Sequence, residues 1–77
     1  MKYYCDESRH IVCEPYSIEN LHIMGNKLKL KKHWYHKSKG GLGHYDIPKK
    51  RIEEITLQCE VISTKEIVKI IRGEKRK

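Results

Sequence analysis

The stretch from Leu30 to Pro48 constrains the fold of this 77-residue chain most strongly. A lysine-flanked segment leads into residues 33–36, a run of histidine and aromatic side chains that contains the single tryptophan. A glycine-rich loop follows, and Pro48 then suits the first position of a helix. Glycines let a backbone approach a ligand closely, while imidazole and aromatic rings offer hydrogen bonds and a flat face to a planar partner. This stretch is therefore the predicted ligand site.

The apolar pattern predicts strands that alternate with helices. Extended segments are expected at 2–5, from 28 or 30 to 35, and at 59–62, because these runs are aromatic, alternating or rich in β-branched residues. Helices are expected to begin at Ser17, at Pro48 and at Ser63, where a glutamate three residues later completes a capping box. A further short strand near residues 10–14 is left open. Pro15 would end that strand, and Gly73 would end the last helix.

The order of these elements predicts an α/β fold with a largely parallel, three-stranded sheet, because parallel neighbours need crossover connections that are usually helical. Residues 1–72 are expected to form this single domain, and residues 73–77 a basic solvated tail. Ligands of open parallel sheets collect at the carboxyl ends of the strands. The amino ends of the helices near Pro48 and Ser63 would lie on the same edge and attract an anion.

Charge and composition limit the kinds of molecule that the chain is expected to bind. The 17 Lys and Arg residues exceed the 10 Asp and Glu residues by 7, which favours an anionic partner. A chain of this length buries only about 60% of its unfolded surface, so a homo-oligomer is expected. The three cysteines are odd in number and lack close pairing, which indicates reduced thiols and a cytoplasmic protein. No apolar run approaches the roughly 18 residues of a membrane span.

One pair of residues in the glycine-rich region has the pattern of reactive chemistry. His44 and Asp46 are two apart in an extended segment, so both face one side, and a carboxylate that orients an imidazole can support acid/base chemistry. A structural His-Asp hydrogen bond is the alternative. The predicted ligand-binding residues are Asp6, Arg9, His10, Trp34, Tyr35, His36, Lys37, Lys39, Gly41, Gly43, His44, Tyr45 and Asp46. No metal or cofactor is predicted, since His33 and His36 would face opposite sides of a strand.

Several short motifs resemble those of an uncharacterised family of small bacterial and phage proteins known by a His-Tyr-Asp motif. They are Asp6-x-x-Arg9-His10, the helix start from Glu19 to His22, the run 33–36, and His44-Tyr45-Asp46. The resemblance covers nearly the whole chain. It implies a bacterial or phage setting and marks the residues of 44–46, but it implies no particular activity.

Three classes of function remain open at this point. The first is a non-catalytic binder of an anionic, nucleotide-like small molecule, and a phage setting makes a scavenger of host nucleotide signals a natural role. The second is a small hydrolase or phosphodiesterase that uses His44 with Asp46 or Asp6. The third is an inhibitor that binds nucleic acid or a host protein. We favour the first, because the sequence has no Walker loop, no His-Glu-x-x-His and no known nucleic-acid-binding motif.

Overall fold

A computed structural model describes residues 1–37 and 43–73. The elements are, in chain order, β1 (Lys2–Cys5), β2 (His10–Glu14), α1 (Ile18–Lys27), a 3-10 turn (Lys32–Trp34), β3 (Tyr35–Lys37), β4 (Gly43–Asp46), a second 3-10 turn (Lys49–Arg51), α2 (Ile52–Thr56), β5 (Glu60–Val61) and α3 (Thr64–Ile71). The predicted α/β class is confirmed, and the strand that the sequence left open near residues 10–14 is present as β2. Within the described ranges no helix has the length and apolar character needed to cross a membrane.

The strands form a mixed five-stranded sheet in the order β3-β4-β2-β1-β5. Neighbours are antiparallel from β3 to β1, and β5 runs parallel to β1. The predicted three-stranded, largely parallel sheet is therefore wrong. The turn from Asp6 to Arg9 explains the error, because it joins β1 directly to β2 as a hairpin and needs no helical crossover. Arg9 is left-handed there (φ 69°), and its N–H donates to the Asp6 carbonyl at 3.1 Å.

Helix α1 begins and ends with well-formed caps. Its predicted N-cap, Ser17, accepts a backbone N–H of the first turn at 2.9 Å. After the last turn Lys29 is left-handed (φ 58°), and the N–H of Leu30 donates to the Gly25 carbonyl at 2.7 Å. This cap redirects the chain, so residues 28–34 do not form the predicted strand. The 3-10 turn takes that place, and β3 follows it.

The core lies on both faces of the sheet, because the consecutive residues Ile11, Val12 and Cys13 of β2 are all fully buried. Helix α1 packs against β2 and β4 on one of these faces. Gly25 of α1 lies so close to Tyr45 of β4 that a Cβ atom at position 25 would be 2.7 Å from Cζ of the tyrosine ring. Gly25 therefore lets the backbone of α1 lie close to Tyr45, and the helix continues through this position. Tyr45 is only 2% exposed, and its hydroxyl is 2.9 Å from Nδ1 of His22. The largest fully buried side chains are Tyr4, Ile11, Leu21, Met24, Ile47, Ile55, Val12, Cys5 and Cys13.

Helix α3 packs against β1 and β2. Its predicted capping box is confirmed in part, because Ser63 accepts the N–H of Glu66 at 3.2 Å. Gly73 follows the helix in the left-handed region (φ 73°), as predicted. The three cysteines are free, and burial raises the pKa of the Cys59 thiol to about 12, which makes it a poor nucleophile at neutral pH.

Candidate functional site

Four polar side chains from three neighbouring strands share the sheet face opposite α1. His10 on β2 is the register partner of Asp46 on β4, and His36 on β3 is the register partner of His44 on β4. Register partners have Cβ atoms about 4.5–5.5 Å apart, and residues two apart on one strand share a face. The strand register therefore gathers His10, His36, His44 and Asp46 into one group, which we call the histidine cluster.

The Asp46 carboxylate lies between two imidazoles of the histidine cluster. Its Oδ1 is 3.3 Å from Nε2 of His44, and its Oδ2 is 3.0 Å from Nε2 of His36. The rings of His10 and His44 meet edge to face, with centroids 4.8 Å apart. One ligand atom from each of His10, His44 and Asp46 lies within 4.8 Å of the other two. The cluster thus presents two imidazoles and one carboxylate to a common point.

A buried carboxylate behind the cluster orients His10. Asp6 Oδ1 accepts the backbone N–H of His10 at 2.9 Å, and Oδ2 lies 2.9 Å from the His10 Nδ1. The hydroxyl of Thr64 donates to the same Oδ2 at 2.7 Å, and the Asp6 side chain is only 1% exposed. Because Asp6 occupies Nδ1, the nitrogen of His10 that is left for a ligand is Nε2.

The surroundings of Asp6 keep it ionised. Burial alone would raise the pKa of this carboxyl, but the hydrogen bonds from Thr64 and from His10 outweigh burial and hold the pKa below its usual value. The buried group behind His10 is therefore a carboxylate at neutral pH.

The surroundings of His44 favour its uncharged form. Burial lowers its pKa, and the neighbouring His10 lowers it further, against the opposing attraction of Asp46. A neutral imidazole has a lone pair that can accept a proton or bind a metal ion. His44 is therefore available as a base or as a ligand at neutral pH.

A cleft of about 220 Å³ opens beside the cluster. Its lining residues are Ser8, Arg9, His10, Trp34, His36, Asp46, Ile47 and Pro48. The ammonium of Lys31 lies 5.8 Å from the centroid of the Trp34 ring, so one side of the indole carries a nearby positive charge. The cleft thus combines a guanidinium, imidazoles, a carboxylate and an aromatic ring.

Seven of the predicted ligand-binding residues lie at the histidine cluster or the cleft, and three others face away from it. Those at the cluster or the cleft are Asp6, Arg9, His10, Trp34, His36, His44 and Asp46. Tyr35, Gly43 and Tyr45 face the core instead, because strand alternation sends them to the other side from His44 and Asp46. Gly43 is held there by Tyr16, whose hydroxyl donates to the Gly43 carbonyl and accepts its N–H.

The remaining predicted residues lie away from the cleft or outside the described ranges. Lys37 ends β3 and is exposed. Lys39 and Gly41 lie outside the described residues, as do residues 74–77 of the predicted tail. Thr64 was not among the predicted site residues, although its signal was present in the sequence: the capping box at Ser63 placed the amino end of a helix at this edge.

The residues converge for a different reason from the predicted one. In a parallel sheet the carboxyl ends of all strands would meet at one edge. In the observed antiparallel arrangement the end of β1, the start of β2 and the end of β4 meet there instead. Asp6, His10 and Asp46 consequently lie at one edge.

None of the protein-family models, curated proteins or solved structures compared with this chain matches it. We therefore derive a function from the chemistry of the cluster and the cleft.

Proposed function

We propose that the protein binds an anionic, nucleotide-like small molecule in the cleft beside the histidine cluster and leaves it chemically intact. The observation that carries this proposal is that Arg9, His10, Trp34 and Asp46 line one cleft. Arg9, Trp34 and Asp46 each match a different part of a nucleotide. A diffuse basic surface would not combine these groups in one cleft.

The chemical match can be stated group by group. The guanidinium of Arg9 suits a phosphate, which it can hold through two parallel hydrogen bonds. The Trp34 indole offers a stacking face to a base, and the Asp46 carboxylate can accept hydrogen bonds from sugar hydroxyls. The cleft of about 220 Å³ is smaller than the roughly 300–1,000 Å³ of a typical ligand pocket. We therefore place the phosphate and sugar inside the cleft and the base at its rim, against Trp34.

The electrostatic setting supports an anionic ligand. The net charge of +7 favours the approach of anions to the whole molecule. Within the cleft, Nε2 of His36 lies 3.0 Å from Oδ2 of Asp46, so one oxygen of that carboxylate already has a partner in the protein. Arg9 is exposed at the tip of the β1–β2 turn, where it can reach a phosphate without loss of a partner inside the protein core.

Calorimetric titration of tag-free, metal-stripped protein with mononucleotides, cyclic nucleotides and dinucleotides tests the proposal. Arg9→Gln should weaken binding about 10- to 100-fold, because a hydrogen bond to a charged group contributes about 1.5–3 kcal/mol. Arg72→Gln is the matched control, since Arg72 is exposed and lines a different depression beside Glu14, at the far end of β2. Equal weakening in both variants would show that the protein attracts anions by net charge and has no shaped site.

A small hydrolase is the second candidate, and the pairing of Asp6 with His10 favours it. The candidate pairs for this alternative were His44 with Asp46 or with Asp6. His44 Nε2 lies 3.3 Å from Asp46 Oδ1, whereas Asp6 Oδ2 lies 2.9 Å from Nδ1 of His10. A water molecule that attacks the phosphorus of a phosphodiester could transfer its proton to a neutral imidazole of the cluster. The P–O bond to the leaving oxygen would break, and that oxygen would take a proton from solvent. Nucleotide recovered by heat denaturation should be intact for a binder. Cleaved product that disappears in His44→Gln would favour the hydrolase.

The biological role that we propose is sequestration of host nucleotide signals by a bacterial or phage protein. The resemblance of the motifs around Asp6, His22 and His44 to the His-Tyr-Asp family supports that setting. Nucleotides that copurify with the protein from its host would identify the signal.

A further inference from the structure

We propose that His10, His44 and Asp46 bind a divalent first-row transition-metal ion, with Zn²⁺ as the best match. The inference rests on the same site as the proposed function and adds to it, since the ion would lie at the wall of the cleft that receives the anionic ligand. It also departs from the sequence-based prediction, which assigned no metal.

The donor set and its spacing carry the proposal. Two imidazoles and a carboxylate suit zinc and its neighbours, whereas Mg²⁺ and Ca²⁺ prefer oxygen ligands alone. Ligand atoms around a tetrahedral zinc lie about 2.0–2.2 Å from the ion and hence roughly 3.3 Å from one another. His44 Nε2 and Asp46 Oδ1 are already 3.3 Å apart. The three ligand atoms all lie within 4.8 Å of one another, so they would move closer together around the ion.

Two of the three ligands are already oriented by partners outside the ligand set. Histidines that bind metals almost always donate their other ring N–H to a carboxylate, a carbonyl or water. Asp6, almost fully buried, holds Nδ1 of His10 in this way and leaves Nε2 for the ion. His36 lies 3.0 Å from Oδ2 of Asp46, which leaves Oδ1 on the side of His44. An ion pair between His44 and Asp46 at the surface would not require the buried Asp6 carboxylate behind His10.

Three protein side chains leave a fourth coordination position on the ion open. This position indicates which small molecules the cleft would bind. Metal sites that act on ligands keep a water or substrate in that position, whereas purely structural zinc sites fill it with a side chain. His10 and Asp46 both line the cleft, so the open position would be reached from it. A phosphate oxygen on the ion and a second oxygen on Arg9 would hold a phosphate-bearing ligand at two points.

Titration of chelator-treated, tag-free protein with Zn²⁺ alone tests the proposal. We expect one ion per chain, and at least a tenfold loss of affinity in His10→Ala, His44→Ala and Asp46→Ala. His33→Ala is the matched control, because His33 is exposed and has no part in the cluster. Asp6→Asn should weaken Zn²⁺ binding about 10- to 100-fold without removing a ligand, as expected for a group that positions a ligand.

Imidazole nitrogen resonances of the unaltered protein keep the test independent of whether the variants fold. Saturating Zn²⁺ should shift the resonances of His10 and His44 and leave His33 unchanged. Three results would overturn the proposal. The protein would fail to bind Zn²⁺, or it would bind Mg²⁺ with the same affinity, or His33→Ala would weaken Zn²⁺ binding as much as His44→Ala does.

The outcomes also separate this inference from the proposed function. Nucleotide binding by metal-free protein, together with no Zn²⁺ binding, would reject the metal site alone. Zn²⁺ binding with no affinity for any nucleotide, with or without the ion, would reject the proposed ligand alone.

Discussion

Replacing Asp6 with asparagine is expected to destabilise the protein by about 2–4 kcal/mol. The carboxylate receives hydrogen bonds on both oxygens, from the backbone and ring of His10 and from the hydroxyl of Thr64. An amide has one accepting oxygen, so whichever way the new side chain turns, its NH₂ group faces at least one of these donors. A buried donor left without its acceptor costs about 1–3 kcal/mol, and bonds to a charged group are the stronger kind.

The expected effect is large for a domain of this size. A stability of about 0.05–0.15 kcal/mol per residue gives a 77-residue chain roughly 4–12 kcal/mol. Each kcal/mol shifts the melting temperature of such a domain by about 4–8 °C, so the substitution should lower Tm by roughly 10–30 °C. Thr64→Val removes one of the donors and should cost less, about 1–2 kcal/mol.

The loss should also depend on pH, with a definite sign. The pKa of Asp6 is lowered in the folded protein, so its contribution is fully present above the unfolded pKa of about 3.9 and fades as the pH falls through the folded value. Urea unfolding from pH 7 down to pH 2 should show the difference between the two proteins shrinking below about pH 4. The exposed substitution Glu53→Gln should change stability by less than about 0.5 kcal/mol. A Tm loss below about 3 °C for Asp6→Asn, or a difference that stays constant from pH 7 to pH 2, would refute this account of Asp6.

Three further predictions concern packing, backbone conformation and assembly. Gly25→Ala should destabilise by about 1–3 kcal/mol in thermal unfolding despite the helix preference of alanine, because the new Cβ would be 2.7 Å from Cζ of Tyr45; a gain in stability would contradict that close contact. Lys29→Gly should stabilise by about 0.5–1 kcal/mol in urea, since Lys29 is left-handed (φ 58°), whereas Lys29→Ala should give no gain. Sedimentation at micromolar concentration should show a homo-oligomer; a 9.2 kDa species alone would reject that expectation.

The elements that could be predicted from the sequence are those set by neighbouring residues. Ser17 and Ser63 begin helices, and Gly73 ends one, because a cap depends on side chains and dihedral angles within a single turn. The shared direction of His44 and Asp46 likewise follows from the two-residue period of a strand. These local rules placed part of the histidine cluster correctly.

Two of the errors lie next to residues whose types seldom adopt a left-handed backbone. Arg9 and Lys29 both adopt left-handed backbone conformations, which sequence patterns associate with glycine or asparagine. Arg9 turns β1 back into β2 and so makes the sheet antiparallel there. Lys29 ends α1, so that of the predicted strand from 28 or 30 to 35 only Tyr35 is in a strand. The pairing of His10 with Asp46 depends on contacts between distant parts of the chain, and no local pattern could reveal it.

The locked pairing of β4 makes the histidine cluster sensitive to changes in chain length. The Tyr16 hydroxyl is hydrogen-bonded to both the N–H and the carbonyl of Gly43, and this fixes where β4 starts relative to its neighbouring strands. Because side chains alternate, a shift of β4 by one residue would turn Tyr45 towards the cleft and carry His44 and Asp46 into the apolar layer under α1. Insertions or deletions between β3 and β4 are therefore compatible with this site only when His36 still pairs with His44.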